Sequence, residues 1–355
     1  IDNIQNDPRN KSLTINRIKM PFSSKRYFLR FINQFYFSFL ALFKLLNNKK
    51  ISLLMVQTNP PPIVITSFLF SLLTNKPYII ISMDLYPDIL FANLNEPLKS
   101  ISKNFLSLLF NNSYKSADKV ISLSSTMTSK LMKKGVNSEN IIQISNWATG
   151  NIDVVRGKDN IFRDEWDVNA NLVFIYSGNL GKAHEWKTLL FAIKKANFNP
   201  IEFKLIFVAS GSKLREVKKF VDRYSLQSSV IFKNLVSPND LPHTLGLADI
   251  AIVSLEYGFE GLVMPSKFAG YLCRGLPILY IGPDSEIKDI IVKSNCGKCF
   301  ENNEVENLSN FMSKLCKDKS SLNTMSINAL NYYKKYFSSE IGLEKYAKIT
   351  NKYQI

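Results

Sequence analysis

The sequence predicts an α/β fold made of two doubly wound units, each a parallel sheet with helices on both faces. Three observations predict it. The chain has 355 residues, a length that suits two domains better than one. Short β-rich runs alternate with longer helical patterns throughout. Most of those runs are continuously apolar instead of alternating, as parallel strands buried on both faces are. Hydrophobic residues make up 46% of the chain, enough for two cores, and no window has the composition of a disordered or low-complexity segment.

In the first half the runs are ISLLMVQTN (51–59), PYIIISMD (77–84), KVISLS (119–124) and IIQISN (141–146). In the second they lie at 172–178, 204–211, 229–235, 249–255 and 277–282. The spacing leaves room for one crossover helix between neighbours, which parallel pairing requires. Such crossovers cover both faces of a sheet, hence the doubly wound expectation. The first domain is expected over 1–150 and the second over 151–330. A polar segment at 146–171, holding Gly150 and Gly157 and no strong periodicity, marks the boundary. Residues 331–355 form a tail that reads as one or two amphipathic helices.

Ahead of the first run, YFLRFINQFYFSFLALFKLL (27–46) is the most apolar long window. Arg30, Asn33, Gln34, Ser38 and Lys44 fall near one narrow face of a helix, a stripe that a spanning helix would avoid. Two readings stay open: a buried helix with one wet edge, or a helix lying in a membrane interface. Lys25, Arg26, Lys49 and Lys50 at its ends suit anionic lipid.

The chain holds 45 Lys+Arg against 29 Asp+Glu, a net charge of +16. Residues 1–150 carry 18 basic and 7 acidic groups, a net of +11. An anionic partner follows: phosphate, membrane surface or nucleic acid. The basic groups are dispersed and the aromatics sit in core-like runs, so nucleic acid is not the expected partner. Four cysteines are too few for a disulfide scaffold. Cys296 and Cys299 form a C-x-x-C without a second ligand pair and read as ordinary thiols at a strand edge. No Asp-x-Asp motif occurs, and no metal or cofactor is expected. The chain opens on Ile1, without a signal-peptide pattern.

Ligands of open α/β sheets sit beyond the carboxyl ends of the strands. Those positions here are Asp84, Asn146, the Gly178 turn, Gly211, the stretch from Glu256 to Lys267, and that from Gly282 to Glu286. Gly178 and Gly181 flank a turn after an apolar run, which lets a ligand approach the backbone. A helix expected to begin near His184 would direct its free amides at an anion, and Lys182 adds a charge. The turn is neither a Walker A loop nor G-x-G-x-x-G, and a plain strand-to-helix turn is the competing reading. In the stretch 259–287, Pro265, Ser266 and Lys267 read as a helix start, with Gly275 and Pro277 as its stop. A lysine in a first helical turn opposes the helix dipole; a bound anion would explain it. Two such sites suit a diphosphate.

Together, YSGNLGKAHEWKTLLFA, EGLVMPSKFAGYLCRGLPILYIGPDSE and MDLYPDIL with ISNWA resemble the retaining glycosyltransferases of family 4. The nearest branch serves bacterial O-antigen and capsule synthesis, including N-acetylfucosamine-type transferases. The resemblance runs from about Ile51 to the tail. It implies a GT-B fold, two Rossmann-like domains facing a cleft. It implies a donor diphosphate on Gly178, Asn179, Gly181, Lys182 and Lys267, with Ser266 capping the phosphate helix. The base would lie near Gly211, Ser212 and the Asn234–Leu235–Val236 strand end. Glu260 would face the sugar, and Asp84 would orient the acceptor or sugar. His184 stands where many relatives carry a cation and is expected to touch phosphate or sugar; His243 is read as structural.

The chain departs from the family at three places. Gly270 stands where a second glutamate is expected, leaving Glu286 as a candidate ribose ligand. Met83–Asp84 replaces a His-Asp pair. The family's first strand and glycine-rich acceptor loop are not legible, so the first domain is expected to lack a strand. The implied reaction transfers a hexosyl or N-acetylhexosaminyl group, with retention, from a nucleotide-diphosphate sugar to a polyprenyl-diphosphate-linked saccharide. The basic first half would place the enzyme in the cytoplasm, peripheral on the inner face of the bacterial plasma membrane. Rival readings are a nucleotide-sugar epimerase on the same fold and a non-catalytic membrane-bound partner of a polysaccharide assembly complex.

Overall fold

Two all-parallel sheets organise the chain, one of four strands and one of six. The computed structural model describes residues 4–7, 10–22, 27–92, 100–148, 153–155 and 160–353. Lys25, Arg26, Gly150 and Gly157 lie outside the described residues. The chain divides into two compact units. One comprises 1–122, 128–143 and 350–355; the other comprises 123–127 and 144–349.

The first unit opens with an antiparallel pair, β1 (Ile4–Asp7) and β2 (Asn10–Asn16), then α1 (Tyr27–Leu46). Its four-stranded sheet has strands in chain order: β3 (Leu54–Gln57), β4 (Tyr78–Ser82), β5 (Lys119–Ser122) and β6 (Ile141–Gln143). Between them run α2 (Pro62–Thr74), α3 (Asp88–Ala92), α4 (Ser100–Lys115) and α5 (Ser125–Lys133). Tyr78, Ile79, Ile80, Val120 and Ile121 are fully buried, so β4 and β5 are covered on both faces. That explains why their sequences show no polar alternation.

The reading of α1 as a buried helix with one wet edge is overturned. One member of its polar stripe is put to structural use: the Asn33 side chain pairs with the backbone N–H and C=O of Phe22. Ser38 is buried with its hydroxyl unpaired, and its backbone carbonyl accepts from Thr66 of α2. The exposed face is instead apolar. Phe31, Phe35, Phe39 and Phe43, spaced four apart, are 48%, 50%, 69% and 62% exposed. By length and hydropathy α1 could also cross a membrane. Packed on α1 and α4, α2 adds exposed Leu69, Leu72 and Leu73, and α4 adds Phe105 and Leu108.

The second unit begins with α6 (Ile161–Glu165) and continues through β7 (Leu172–Asn179), α7 (Lys187–Ala196), β8 (Phe203–Ser210), α8 (Leu214–Arg223) and β9 (Val230–Lys233). Then follow α9 (Leu241–Gly246), β10 (Ile250–Ser254), α10 (Lys267–Leu272), β11 (Ile278–Ile281), α11 (Glu286–Ser294) and β12 (Gly297–Phe300). Three helices close the chain: α12 (Val305–Lys317), α13 (Ser320–Tyr336) and α14 (Ser339–Thr350). Asn197 and Asn295 end α7 and α11 with positive φ, the left-handed cap that asparagine tolerates. A core of Phe174, Tyr176, Phe203 and Phe207 fills the sheet's interior; each such side chain contributes roughly 1.5–3 kcal/mol by leaving water.

The order of the six strands is β12-β11-β10-β7-β8-β9. The chain starts at β7, runs out to β9, then returns to β10 on the other side and runs out to β12. The winding direction therefore reverses between β7 and β10. A crevice opens beyond the carboxyl ends of strands at such a reversal, and ligands bind there. His243, read as structural, lies in α9, its ring edge-on to Phe162 at 6.3 Å and its carbonyl bonded by the Asn160 amide. Cys296 is buried, Cys299 half-buried on the edge strand β12, and both are free; burial raises both thiol pKa values, that of Cys299 to about 12.

Candidate functional site

The β7 turn and the β8 turn lock into each other at this reversal. Leu180 is fully buried, and its amide donates to the Ser210 carbonyl at 2.6 Å. The Lys213 amide returns to the Leu180 carbonyl at 3.1 Å. Gly211, at φ +123°, passes so close that a Cβ would lie 2.5 Å from both Asn179 Oδ1 and the Leu180 carbonyl. Only glycine fits there. Gly178 also has a positive φ, +115°, but the space beside it is filled by the Lys267 side chain, 3.8 Å from where a Cβ would stand.

Lys267 is the first residue of α10, and two tyrosines hold it at the β7 turn. Its Nζ lies 3.4 Å from the centre of the Tyr176 ring and 3.5 Å from the Asn179 carbonyl. The Tyr176 hydroxyl donates to that same carbonyl at 2.9 Å. One turn on, the Tyr271 hydroxyl accepts from the Ser177 amide at 2.8 Å and donates to the Ser177 carbonyl at 3.1 Å. So α10 is stapled to the end of β7. Burial holds the Lys267 pKa well below the usual lysine value, because desolvation disfavours its charged form; an anion beside it would favour the ammonium again. The ring of Tyr176 compensates part of the lost hydration.

The third cation is Lys213. Its Nζ donates to the His184 carbonyl at 2.8 Å and to Glu256 Oε1 at 2.5 Å. The Glu256 amide donates to the Ala183 carbonyl at 2.8 Å. His184 Nδ1 lies 3.1 Å from the Ser254 carbonyl, the last residue of β10. The segment after Gly181 is thus tied to both β8 and β10.

Two local expectations are corrected. The helix after the turn begins at Lys187, not near His184, and its first-turn amide, Thr188 N, is taken by Glu185 Oε1 at 2.8 Å. The α7 terminus is capped by its own carboxylate, so the anion-attracting groups here are the cations and the glycine turn. Glu185 is buried with Oε2 unpaired, and burial raises its carboxyl pKa. Ser266 precedes α10 but makes no side-chain cap bond to it; it is exposed.

The structure brings Gly178, Asn179, Gly181, Lys182, His184, Gly211, Ser212, Ser266 and Lys267 to the carboxyl ends of β7, β8 and β10. Lys182 and Ser212 are exposed. Leu235 follows β9 and is 53% exposed. In the loop after β10, Glu260 accepts from the Gly258 amide with both oxygens, at 2.9 and 3.1 Å. Glu286 opens α11, and its carboxylate accepts from the Ser125 amide. Asp84 belongs to the first unit. It follows β4, its amide donates to Thr58 Oγ1 at 3.1 Å, and burial raises its carboxyl pKa from 3.8 to about 6. Sequence reasoning missed Lys213, Tyr176 and Tyr271. The signal for Tyr271 was present: it stands four residues after Lys267, on the same helix face.

The Glycosyl transferases group 1 family matches residues 158–332. A probable glycosyltransferase of Pseudomonas aeruginosa, WbjE, is 28% identical over 337 residues, covering 93% of this chain and 82% of the relative. A putative colanic acid biosynthesis glycosyl transferase of Escherichia coli K12, WcaI, is 28% identical over 161 residues, 44% of this chain and 39% of the relative. Among solved structures, Anabaena Alr3699/HepE in complex with UDP aligns with a TM-score of 0.68 at 15% identity, over 90% of this chain and 82% of that one. The fold is GT-B, with two Rossmann-like α/β domains.

Proposed function

Because residues 158–332 are a glycosyltransferase group 1 domain and the protein is a glycosyltransferase, we propose that it moves a hexosyl or N-acetylhexosaminyl group from a nucleoside-diphosphate sugar, with retention, to a lipid-linked saccharide. The process is the synthesis of a bacterial surface polysaccharide such as O-antigen or capsule. One observation carries the donor reading: a glycine turn with Lys182 and Lys267 at the switch point of the second sheet. The epimerase and the non-catalytic partner are set aside by the glycosyltransferase relatives.

In this reaction the bond between the anomeric carbon and the β-phosphate oxygen breaks. The acceptor oxygen bonds that carbon on the same face, and its proton passes to the departing diphosphate. Charge develops on the leaving group, and preorganised cations stabilise it most where water is excluded. Lys267 and Lys182 fit that role. Lys213, neutralised by Glu256, fits holding the turn in shape. Asp84, with its raised pKa, is the carboxyl proposed to orient acceptor or sugar.

HepE held UDP, so uridine is the first base to test. A lipid-linked acceptor lies at a membrane, and the phenylalanine ridge of α1 fits one. Four exposed phenylalanines at helical spacing, with Lys49 and Lys50 just beyond the end of the helix, match an anionic bilayer surface in both chemistry and charge. The enzyme would then act peripherally on the inner leaflet. The test is transfer from radiolabelled UDP-, GDP- or TDP-sugars to polyprenyl-diphosphate-linked N-acetylhexosamine in vesicles, with the product anomer read by NMR. The expected product keeps the donor's anomeric configuration. An inverted anomer, or free sugar as the sole product, contradicts the proposal.

A further inference from the structure

His184 lies inside a cationic cluster, yet its bonding leaves it unable to act as a cation there. A backbone carbonyl can only accept a hydrogen bond, so the 3.1 Å contact with Ser254 places a proton on Nδ1. The groups around the ring come from several elements. Lys267 begins α10, Lys213 precedes α8 and is paired with Glu256 after β10, and Tyr176 of β7 meets the ring edge-on at 6.0 Å, while the neighbouring Glu185 turns its carboxylate to the Thr188 amide. Burial first, then the ammonium groups of Lys267 and Lys213, lower its pKa from 6.5 to about 4. At neutral pH the ring carries one proton, and it sits on Nδ1. Nε2 is then a bare lone pair. Among the described residues none pairs with it, and it is not among the buried unpaired atoms.

A lone pair repels the oxygens of a sugar-nucleotide diphosphate, which have no proton to donate near neutrality. It pairs well with a hydroxyl. We infer that His184 reads a hydroxyl of the bound nucleotide sugar, and that the diphosphate is held by the lysines beside it. The hydroxyl belongs either to the ribose or to the transferred sugar. The inference rests on the donor site proposed above and adds a specificity-determining residue to it. Its logic is that a neutral acceptor in a field of donors selects a ligand by what the phosphates lack.

The test is a ladder of ligands on the full chain: inorganic pyrophosphate, then UDP, GDP, TDP and ADP, then the glucose ester of each, measured by calorimetry. His184→Phe keeps a ring and removes both nitrogens; His184→Gln keeps a neutral acceptor. Thermal melts check that both variants fold. The expected result is pyrophosphate affinity within about twofold of the unmodified protein for His184→Phe. Affinity then falls about 3–10-fold at the first ligand carrying the hydroxyl. A fall at the nucleoside diphosphate assigns the ribose, and one at the glucose ester assigns the sugar. His184→Gln recovers most of it. A loss already present with pyrophosphate overturns the inference, as does no loss on any ligand. So does uptake of a proton on binding the glucose ester that His184→Gln abolishes, read from buffers of different ionisation heat, because an imidazolium donates to phosphate; uptake that persists in His184→Gln belongs to Lys267, whose pKa is also depressed. If no diphosphate binds the unmodified protein, the donor-site reading fails and this inference fails with it.

Discussion

Replacing Asp84 by Asn should make the protein more stable at neutral pH and less active. Burial raises the Asp84 carboxyl from 3.8 to about 6. A raised folded pKa means that the folded state holds its proton more tightly than the unfolded chain does. The folded form is therefore favoured at low pH, loses stability as pH rises from about 4 to 6, and stays lower above that. A shift of about two units corresponds to roughly 3 kcal/mol. Asp84 is only half-buried, so solvent screening trims the figure to about 1–2 kcal/mol. Asparagine keeps the side-chain shape, and the bond to Thr58 runs through the backbone amide, so it survives. Urea melts of both proteins from pH 4 to 8 measure the difference. The variant should gain about 1–2 kcal/mol at pH 7.5, and the gain should vanish towards pH 4. Transfer by the variant should fall about 100-fold or more if Asp84 orients a reacting group. A variant that is less stable at pH 7.5, or a difference independent of pH, refutes the reasoning.

Other outcomes follow from the same geometry. Gly211→Ala should cost about 3 kcal/mol or more, because its Cβ meets the Leu180 carbonyl at 2.5 Å. Gly178→Ala should cost only about 1–2 kcal/mol of backbone strain, since its nearest neighbour is a flexible lysine at 3.8 Å; equal costs in denaturant melts contradict the interlocked turns. Phe39→Asp with Phe43→Asp should leave stability within about 0.5 kcal/mol, because both side chains are largely exposed. It should weaken binding to phosphatidylglycerol vesicles at least about tenfold, each phenylalanine contributing of order 1–2 kcal/mol when it enters lipid. Vesicle sedimentation unchanged by these substitutions would remove α1 from the membrane contact.

Much of this architecture was legible because parallel strands buried on both faces leave uninterrupted apolar runs. PYIIISMD and LVFIYSG could be placed as strands from composition alone, and their carboxyl ends then located the Gly178 turn and Asp84. Lys267 was legible as a cation in the wrong half of a helix. What stayed hidden was set by tertiary contact. Nothing in KAHEWK says that Glu185 caps the next helix and delays its start to Lys187. The Lys213–Glu256 pair joins residues far apart in the chain. The α1 stripe misled because Asn33 satisfies the backbone of Phe22, not water, and Ser38 is simply buried; periodicity reports which face differs, not which face is inside.

The measurement that tests the central claim most directly is calorimetric binding of UDP, GDP, TDP, ADP and CMP to the full chain and to Lys267→Ala. The account predicts that one diphosphate binds and that Lys267→Ala weakens it at least about 30-fold, as loss of a desolvated, charge-assisted contact does. Absence of diphosphate binding, or binding that Lys267→Ala leaves unchanged, would contradict the reading of the β7 turn and Lys267 as the donor diphosphate site.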